Sequence, residues 1–514
     1  MNISTTKAWQ QYEAGKEYNR RIGLYETMRR NERFYRGDQW KDSHSELPHP
    51  VFNLTRRITD YLVCAVAPQN LSITYTDEKL PFLDNAQVRA TVLDGLSLLG
   101  KNASYRWKQN KMNMQAYQAL LDAAISGDGV FYCWWDGSVD HGQPFLGDIR
   151  TDLIDTSNFF VADVNRADVQ SQDYILLSGR ATVESLRREA RNAGMAESEV
   201  EKIVGDSNFE PASGDLSTTE LPGSNKATYL ICFYREDGEV IFEKSTRSAV
   251  IRRVRTGLKY YPVAYFNWYR TKNSFHGSSP VSDLIANQKY INTAYAMAMK
   301  HMSDTAFSKI IYDKSRIPEW TNEVGEAIAA VGGGSVSDAV SVVGVGDMQE
   351  GYLDLITNVI ETTKDMMGAT ESALGDERAQ NTSAILALQK ASQLSLAQVR
   401  ANFCQCIGEL ALIWADMLCT YCPEDRLLAF CEKDELLAAH LSYALLRKEL
   451  LRSTVEIEDV GQLTPTSTVS VLNKLLDSGE LTTAEYLRLL PPGTVMDRER
   501  LIHTIQQKGA SSNE

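Results

Sequence analysis

The sequence has no run of about 20 apolar residues such as a membrane span requires, and its most apolar helical stretch, Glu409–Leu418, is short and interrupted by Asp416. Met1–Lys16 mixes Lys, Gln and Glu without the apolar segment of a secretory leader, so the expectation is a chain that stays in the cytosol, without a membrane partner. Cysteine is sparse, 8 in 514 residues, which suits reduced core thiols rather than a disulfide framework. One cluster exists, Cys404, Cys406, Cys419 and Cys422. Two of its members stand two apart on an expected helix and point to nearly opposite sides, so buried thiols are expected and not zinc. The 7 His include no H-E-x-x-H, and no G-x-S-x-G elbow is present. The nearest approach to a phosphate cradle, Gly95 to Gly100-Lys101, continues with Asn102 where Ser or Thr is needed, and the Gly332–Gly334 run has no Lys after it. ATPase, zinc-hydrolase and serine-hydrolase chemistry are therefore disfavoured: no catalytic residue, cofactor or metal is expected. An excess of positive charge is lacking too. With 53 Lys+Arg against 67 Asp+Glu the formal charge is −14, too acidic for a nucleic-acid coat.

What is there reads as a folded α+β protein, at 43% hydrophobic and 23% charged residues. Its length predicts roughly three modules, and no long linker separates them. The first part, to about Gln39, is helical and rich in paired Arg; Pro48 and Pro50 mark turns, and a second helix starts at Leu54. One further helix is expected from about Asn85, capped by Asp84, to Ser126, ending at Gly127-Asp128-Gly129. Short β-branched and aromatic runs follow: Val130–Trp135, Tyr174–Ser178, Tyr229–Tyr234, Val240–Phe242, Val250–Val254 and Val263–Trp268, with a helical insertion between Thr182 and Val204 and a loop over Asp206–Asn225.

After Pro280 the period changes. Val281, Leu284, Gln288, Ile291, Tyr295, Ala298 and Met302 alternate at spacings of three and four, which predicts a helix with one packing stripe to about Ser303. A strand-and-glycine module comes next (Phe307–Tyr312, Val340–Val345), then a helix from Met348 with Leu353, Ile356, Ile360, Thr363 and Met367 on one side and Asp354, Asn358, Glu361 and Asp365 on another. A long helix is expected from Asn381 or Thr382 to Pro423. Short helices over Glu435–Leu451, Val469–Leu476 and Thr483–Leu490, with a strand at Thr454–Glu458, complete the pattern.

Two charge groups invite a functional reading. The carboxylates Asp148, Asp152, Asp155, Asp163 and Asp168 offer hard oxygen ligands for a divalent ion, although no regular ion-loop spacing is present and solvated turns explain them better. Lys289, Lys300, Lys309, Lys314 and Arg316, if near DNA, would contact phosphates without reading sequence, although taken alone a solvated face explains them better.

The order of elements, with certain short motifs, resembles the portal proteins of tailed bacteriophages. Phe34, Gly37, Gln39 and Trp40 form an F-x-x-G-x-Q-W pattern that precedes Pro50 and Asn53-Leu54, as at the opening of many portals. Tyr261–Phe266, leading through Gly277 and Ser279-Pro280 to Leu284-Ile285 and Asn292, is similar to the portal passage from wing sheet to first stem helix. Ala369–Gly375 with Asn381–Ile385 looks like the tunnel loop, and Leu475–Thr482 like a C-terminal portal element. The resemblance implies a homo-dodecameric ring at one capsid vertex of the virion, assembled in host cytoplasm, through which double-stranded DNA is packaged and ejected without sequence preference. Its implied partners are the terminase large subunit, head-completion or adaptor proteins, and the major capsid and scaffolding proteins.

Carried onto this chain, residues 1–279 become wing, 280–304 and 348–368 stem, 305–347 clip, 369–381 tunnel loop, 382–423 the long wing helix and 424–514 crown, the 454–458 strand returning to the wing. The implied DNA-facing loop residues are Thr370, Glu371, Ser372, Asp376, Glu377, Arg378 and Asn381. Lys289, Lys300, Asp354, Glu361 and Asp365 are candidates for the channel lining, and Lys309, Lys314, Arg316, Glu319 and Trp320 for the surface that meets terminase and adaptor. Two other readings stay open: an oligomeric phage adaptor or scaffold without a tunnel, and a metal-dependent enzyme using the Asp148–Asp168 carboxylates.

Overall fold

Helix α1 (Lys7–Arg21) starts where the Thr6 hydroxyl accepts the Trp9 amide hydrogen. It gives way at Gly23, whose φ of 69° suits glycine, to α2 (Leu24–Arg36), so the N-terminal helical segment is two helices. Asn53 caps α3 (Leu54–Val66), and strand β1 (Leu71–Thr76) follows. The computed structural model describes residues 6–41, 47–68, 71–76, 86–140, 146–206, 225–305, 309–321, 328–343, 350–369, 396–422, 431–432, 435–436, 454–459, 465–479, 481–490 and 501.

The single helix expected over 85–126 is also two, α4 (Ala86–Gln109) and α5 (Met112–Ser126), broken at Lys111 with φ 51°. Side chains hold this break: Trp107 Nε1 donates to Asn113 Oδ1 (2.6 Å), Asn110 Nδ2 to Ile149 O (3.2 Å) and Gln115 Nε2 to Asn110 O (3.3 Å). The expected cap, Asp84, lies outside the described residues.

Next come β2 (Asp128–Asp136), β3 (Asp148–Leu153), β4 (Phe159–Val161), β5 (Tyr174–Thr182), α6 (Val183–Asn192), α7 (Glu197–Val200), β6 (Lys226–Glu236), β7 (Glu239–Ser245), β8 (Val250–Arg255) and β9 (Val263–Asn267). They form two antiparallel sheets, ordered β3-β2-β9 and β4-β5-β6-β7-β8. After them run α8 (Pro280–Thr305), β10 (Lys309–Tyr312), β11 (Val340–Val343), α9 (Glu350–Met366), α10 (Ala397–Tyr421), β12 (Cys431–Glu432), β13 (Glu435–Leu436), β14 (Thr454–Asp459), α11 (Pro465–Asp477) and α12 (Thr483–Leu489). The helix expected to begin at Glu435 does not begin there, because Cys431 pairs with Leu436 across a short hairpin that takes the backbone groups a helix start would use. The remainder of that expected helix lies outside the described residues.

The core sits around the three-stranded sheet. Phe131, Phe403, Trp268 and Trp414 are wholly buried there, with Phe266 edge-on to Phe403 at 5.2 Å and 78°. At about 1.5–3 kcal/mol for each large apolar side chain taken from water, this cluster dominates the body's stability. α10 is long and apolar enough to cross a membrane by length and composition, contrary to the expectation from its short most apolar stretch, Glu409–Leu418, yet its apolar side is spent inside this core. β14 pairs antiparallel with β1, Leu71 opposite Asp459, and so returns the C-terminal part to the body. The five-stranded sheet is covered by α1 on one side, through Trp9 and Tyr12 against Phe160, and by α6 and α7 on the other, through Leu186 and Val200 near Ile251.

A helical pair as candidate functional site

The turn of α8 from Gln288 to Asn292 is fixed by polar groups of the N-terminal segment. Asn292 Nδ2 donates to Gln39 Oε1 (2.6 Å), and Gln39 Nε2 to Phe34 O (3.0 Å) and Asn53 Oδ1 (3.2 Å). Gln288 Nε2 donates to Asn292 Oδ1 and to Phe52 O, both at 2.9 Å, while Gln288 Oε1 accepts from Thr55 N (3.0 Å) and Oγ1 (3.1 Å). The sequence motif thus converges on one buried amide relay that joins α2, α3 and α8. Interiors strengthen such bonds and penalise any member left unpaired.

A second anchor holds the approach to α8. Asp128, fully buried, accepts from Asn267 Nδ2 and Gly277 N at 2.8 Å each, and its other oxygen lies 2.8 Å from His276 Nδ1. Gly277 must be glycine, since a Cβ there would stand 2.7 Å from Tyr269 O. Nearby, burial and the Asp128 charge push the Tyr265 hydroxyl well above its ordinary pKa. The Ser279 hydroxyl caps α8 by accepting from Val281 N (3.0 Å).

From this root α8 pairs with α9. Asn287 Nδ2 donates to Thr363 Oγ1 and Tyr352 OH to Ala294 O, both at 3.1 Å, so the two helices run antiparallel. The stripe behaves as the sequence predicts as far as Ala298, where Val281, Leu284, Gln288, Ile291 and Ala298 are buried. Met302 is 52% exposed, because α8 there has outrun the body. On α9, Ile356 and Thr363 are buried, Leu353 is exposed, and Asp354, Glu361 and Asp365 all face solvent. Lys289 is exposed with its Nζ 5.7 Å from the Phe34 ring centroid, and Lys300 meets Asp304 at 3.2 Å.

At the far end β10 and β11 make an antiparallel ladder, Lys309 opposite Val343 and Tyr312 opposite Val340. The Ser315 hydroxyl and amide donate to Asp313, which holds that carboxyl below the usual range. Trp320 stacks on Tyr312 at 5.3 Å, Arg316 Nη2 donates to Ser335 O (3.2 Å), and Lys314 and Glu319 are exposed. Ile311, Val331, Val336 and Val342 are more than half exposed.

Other expected groups are not brought together. Asp148 pairs with Arg106, Asp152 accepts from Trp134 Nε1 (2.6 Å), Asp155 from Ser157 N (2.8 Å), Asp163 from Asn165 N (2.9 Å) and Asp168 from Gln170 N (2.9 Å). Asp148 ties β3 to α4 and Asp152 ties it to β2, while the other three each serve their own turn. Among the described residues no group of three His, Cys, Asp or Glu side chains could hold a metal. Cys406 is buried and Cys404 half-exposed, as their helical offset requires. A small cavity of about 60 Å³ lies beside Asp168, Arg270, Asn402 and Glu409. Thr370, Glu371, Ser372, Asp376, Glu377, Arg378 and Asn381 lie outside the described residues.

Sequence reasoning missed two buried carboxylates. One is Asp128; the other is Asp416, which accepts from Lys259 N (2.6 Å) and Tyr260 N (3.1 Å). A lone Asp in an apolar helix was the available signal, because a buried charge demands donors.

Residues 234–436, from β6 through α8, its hairpin and α9 to β13, match the family model of the phage P22-like portal protein. The match supports a phage portal protein. It includes every described residue of the α8–α9 pair, so the portal resemblance and the anchored geometry fall on the same stretch. No curated protein matches the chain. The mixed helical and antiparallel composition is the α+β class expected of a portal subunit from the sequence.

Proposed function

We propose that the chain is the portal subunit of a tailed phage. Twelve copies form a ring at one capsid vertex, DNA enters and leaves along its axis, and the ring docks the terminase motor during packaging and head-completion or tail proteins afterwards. The observation that carries this reading is the portal family match across the α8–α9 pair. In the proposed division the body and α10 are wing, α8 and α9 stem, the β10–β11 module clip, residues 369–381 tunnel loop, and residues 424–514 crown. The loop residues Thr370 to Asn381 meet DNA, and Lys309, Lys314, Arg316, Glu319 and Trp320 face the terminase and the adaptor.

Physical features support it. Tyr290, Met297, Met302, Leu355 and Met366 on the pair, and Ile311 and Val342 on the hairpin, are large apolar side chains that a single chain leaves in water. Contiguous surfaces of that kind belong to interfaces. A net charge of −14 suits a conduit, since a dense Lys ladder would bind DNA tightly and stop it sliding. Negative-stain electron microscopy of the purified protein, with light scattering on the same sample, tests the reading. The expected result is rings with a central hole and a mass near twelve times 57.5 kDa. A chain that stays monomeric or dimeric at high concentration overturns it.

A further inference from the structure

The contact line between α8 and α9 fixes which way each charged residue of the pair points. Asn287 and Ala294 mark the side of α8 that meets α9; Tyr352 and Thr363 mark the side of α9 that meets α8. A helix turns about 100° per residue, so a position two away from a contact residue faces nearly the opposite side. Lys289 is two from Asn287, Asp354 is two from Tyr352, and Glu361 and Asp365 are each two from Thr363. Lys300, six from Ala294, lies about 120° round from the contact line. All five are exposed. The pair is therefore a two-helix slab whose α8 edge carries Lys289, beside Phe34 of α2, and Lys300, and whose outer α9 edge carries three carboxylates. Exposed apolar side chains lie between the contact line and the edges, each three residues from a contact residue and so about 60° from that line: Tyr290 and Met297 on α8, Leu355 and Met366 on α9.

Resting on the portal reading, we infer that these two edges mate between copies of the chain, the α9 edge of one copy against the α8 edge of the next. The charges are used up in copy-to-copy contacts and do not face DNA. A two-fold contact would set α8 edge on α8 edge, or α9 edge on α9 edge, and bring like charges together. A head-to-tail contact brings opposite charges together, and repetition of one heterologous contact generates a ring when its rotation closes. Intrachain pairing does not forestall this, because the Lys300–Asp304 pair is half-exposed on both sides and such pairs exchange readily.

The test uses two full-length charge-reversed chains, Lys289→Glu/Lys300→Glu and Asp354→Lys/Glu361→Lys/Asp365→Lys, with assembled mass measured by light scattering against concentration. Each alone should need on the order of tenfold more protein to half-assemble, or fail to assemble. Mixed in equal amounts they should assemble, since each then offers the edge its neighbour lacks, and a chain carrying both sets should recover wild-type assembly. Raising salt should weaken the wild-type ring, as exposed charges are screened beyond a Debye length of about 8 Å at physiological ionic strength. Reversed chains that ring at the wild-type midpoint, or a wild-type midpoint indifferent to salt, overturn the inference while leaving the portal reading in place. A wild-type chain that never assembles removes both.

Discussion

The body around the three-stranded sheet and the α8–α9 pair with its hairpin treat the same kinds of side chain in opposite ways. Phe403 and Trp414 on α10 are each 1% exposed, whereas Met366 on α9 is 76% exposed and Ile311 on the hairpin 61%. Buried carboxylates such as Asp128 and Asp416 accept backbone and side-chain hydrogens in the body, while Asp354 and Glu361 on the pair stand in water. One region is complete within a single chain. The other leaves large apolar side chains in water.

That contrast is broken most severely in the body. Phe403→Ala should cost about 3–5 kcal/mol of unfolding free energy, because it opens a cavity beneath Phe266. Met366→Ala, a truncation of a similarly apolar side chain on the pair, should stay within about 0.5 kcal/mol. Urea melts of dilute protein check both, and near-equal costs would mean that the pair is packed in the isolated chain after all. Next in size is the joint between the regions. Gln288→Leu strands the Thr55 donors and the Asn292 acceptor, so a loss of about 1–3 kcal/mol is expected. Faster hydrogen exchange in α8 than in α10 should accompany it; exchange rising equally in both would show that the relay supports the whole body and not the pair's root.

Much of this division can be read from the residues, and the unreadable part has identifiable causes. The stripe Val281 to Ala298 announces α8, and the Phe34–Trp40 motif with Asn53 and Asn292 marks the polar relay that anchors it, although the motif alone does not reveal that its members touch. The breaks at Gly23 and Lys111 are invisible to periodicity, because helical spacing continues on both sides and the kink is set by side chains reaching other elements, such as Asn110 to Ile149 O. Strand β3, D-I-R-T-D-L, reads as acidic turns, yet its Ile149 and Thr151 alternate inward against the core. The tight alternation of charge and small apolar residues hides a half-buried strand. The carboxylates weighed as ion ligands are dispersed, as the reading of solvated turns has it for Asp155, Asp163 and Asp168, while Asp148 and Asp152 are taken by Arg106 and Trp134.

The smallest expected effect separates the two regions by their acids. Burial and the Asp168 charge push Glu409 up to about 7 from an ordinary 4.5, and burial pushes Asp122 up to about 6 from 3.8; both sit on body helices. A carboxyl raised on folding binds its proton more tightly in the native state, so its contribution is fully present at pH below the unfolded value and is lost as pH rises through the folded one. For Glu409 that window runs from about 4.5 to about 7. Glu409→Gln, which keeps the shape and removes the ionisation, should therefore raise stability at pH 8 by about 1 kcal/mol, a figure discounted because the carboxylate is partly exposed, and change little at pH 4.5. Thermal melts of both proteins across that range check it, the other titrating groups cancelling in the difference. Parallel curves would mean that Glu409 is solvated in the folded chain and that the body, like the pair, keeps its acids in water.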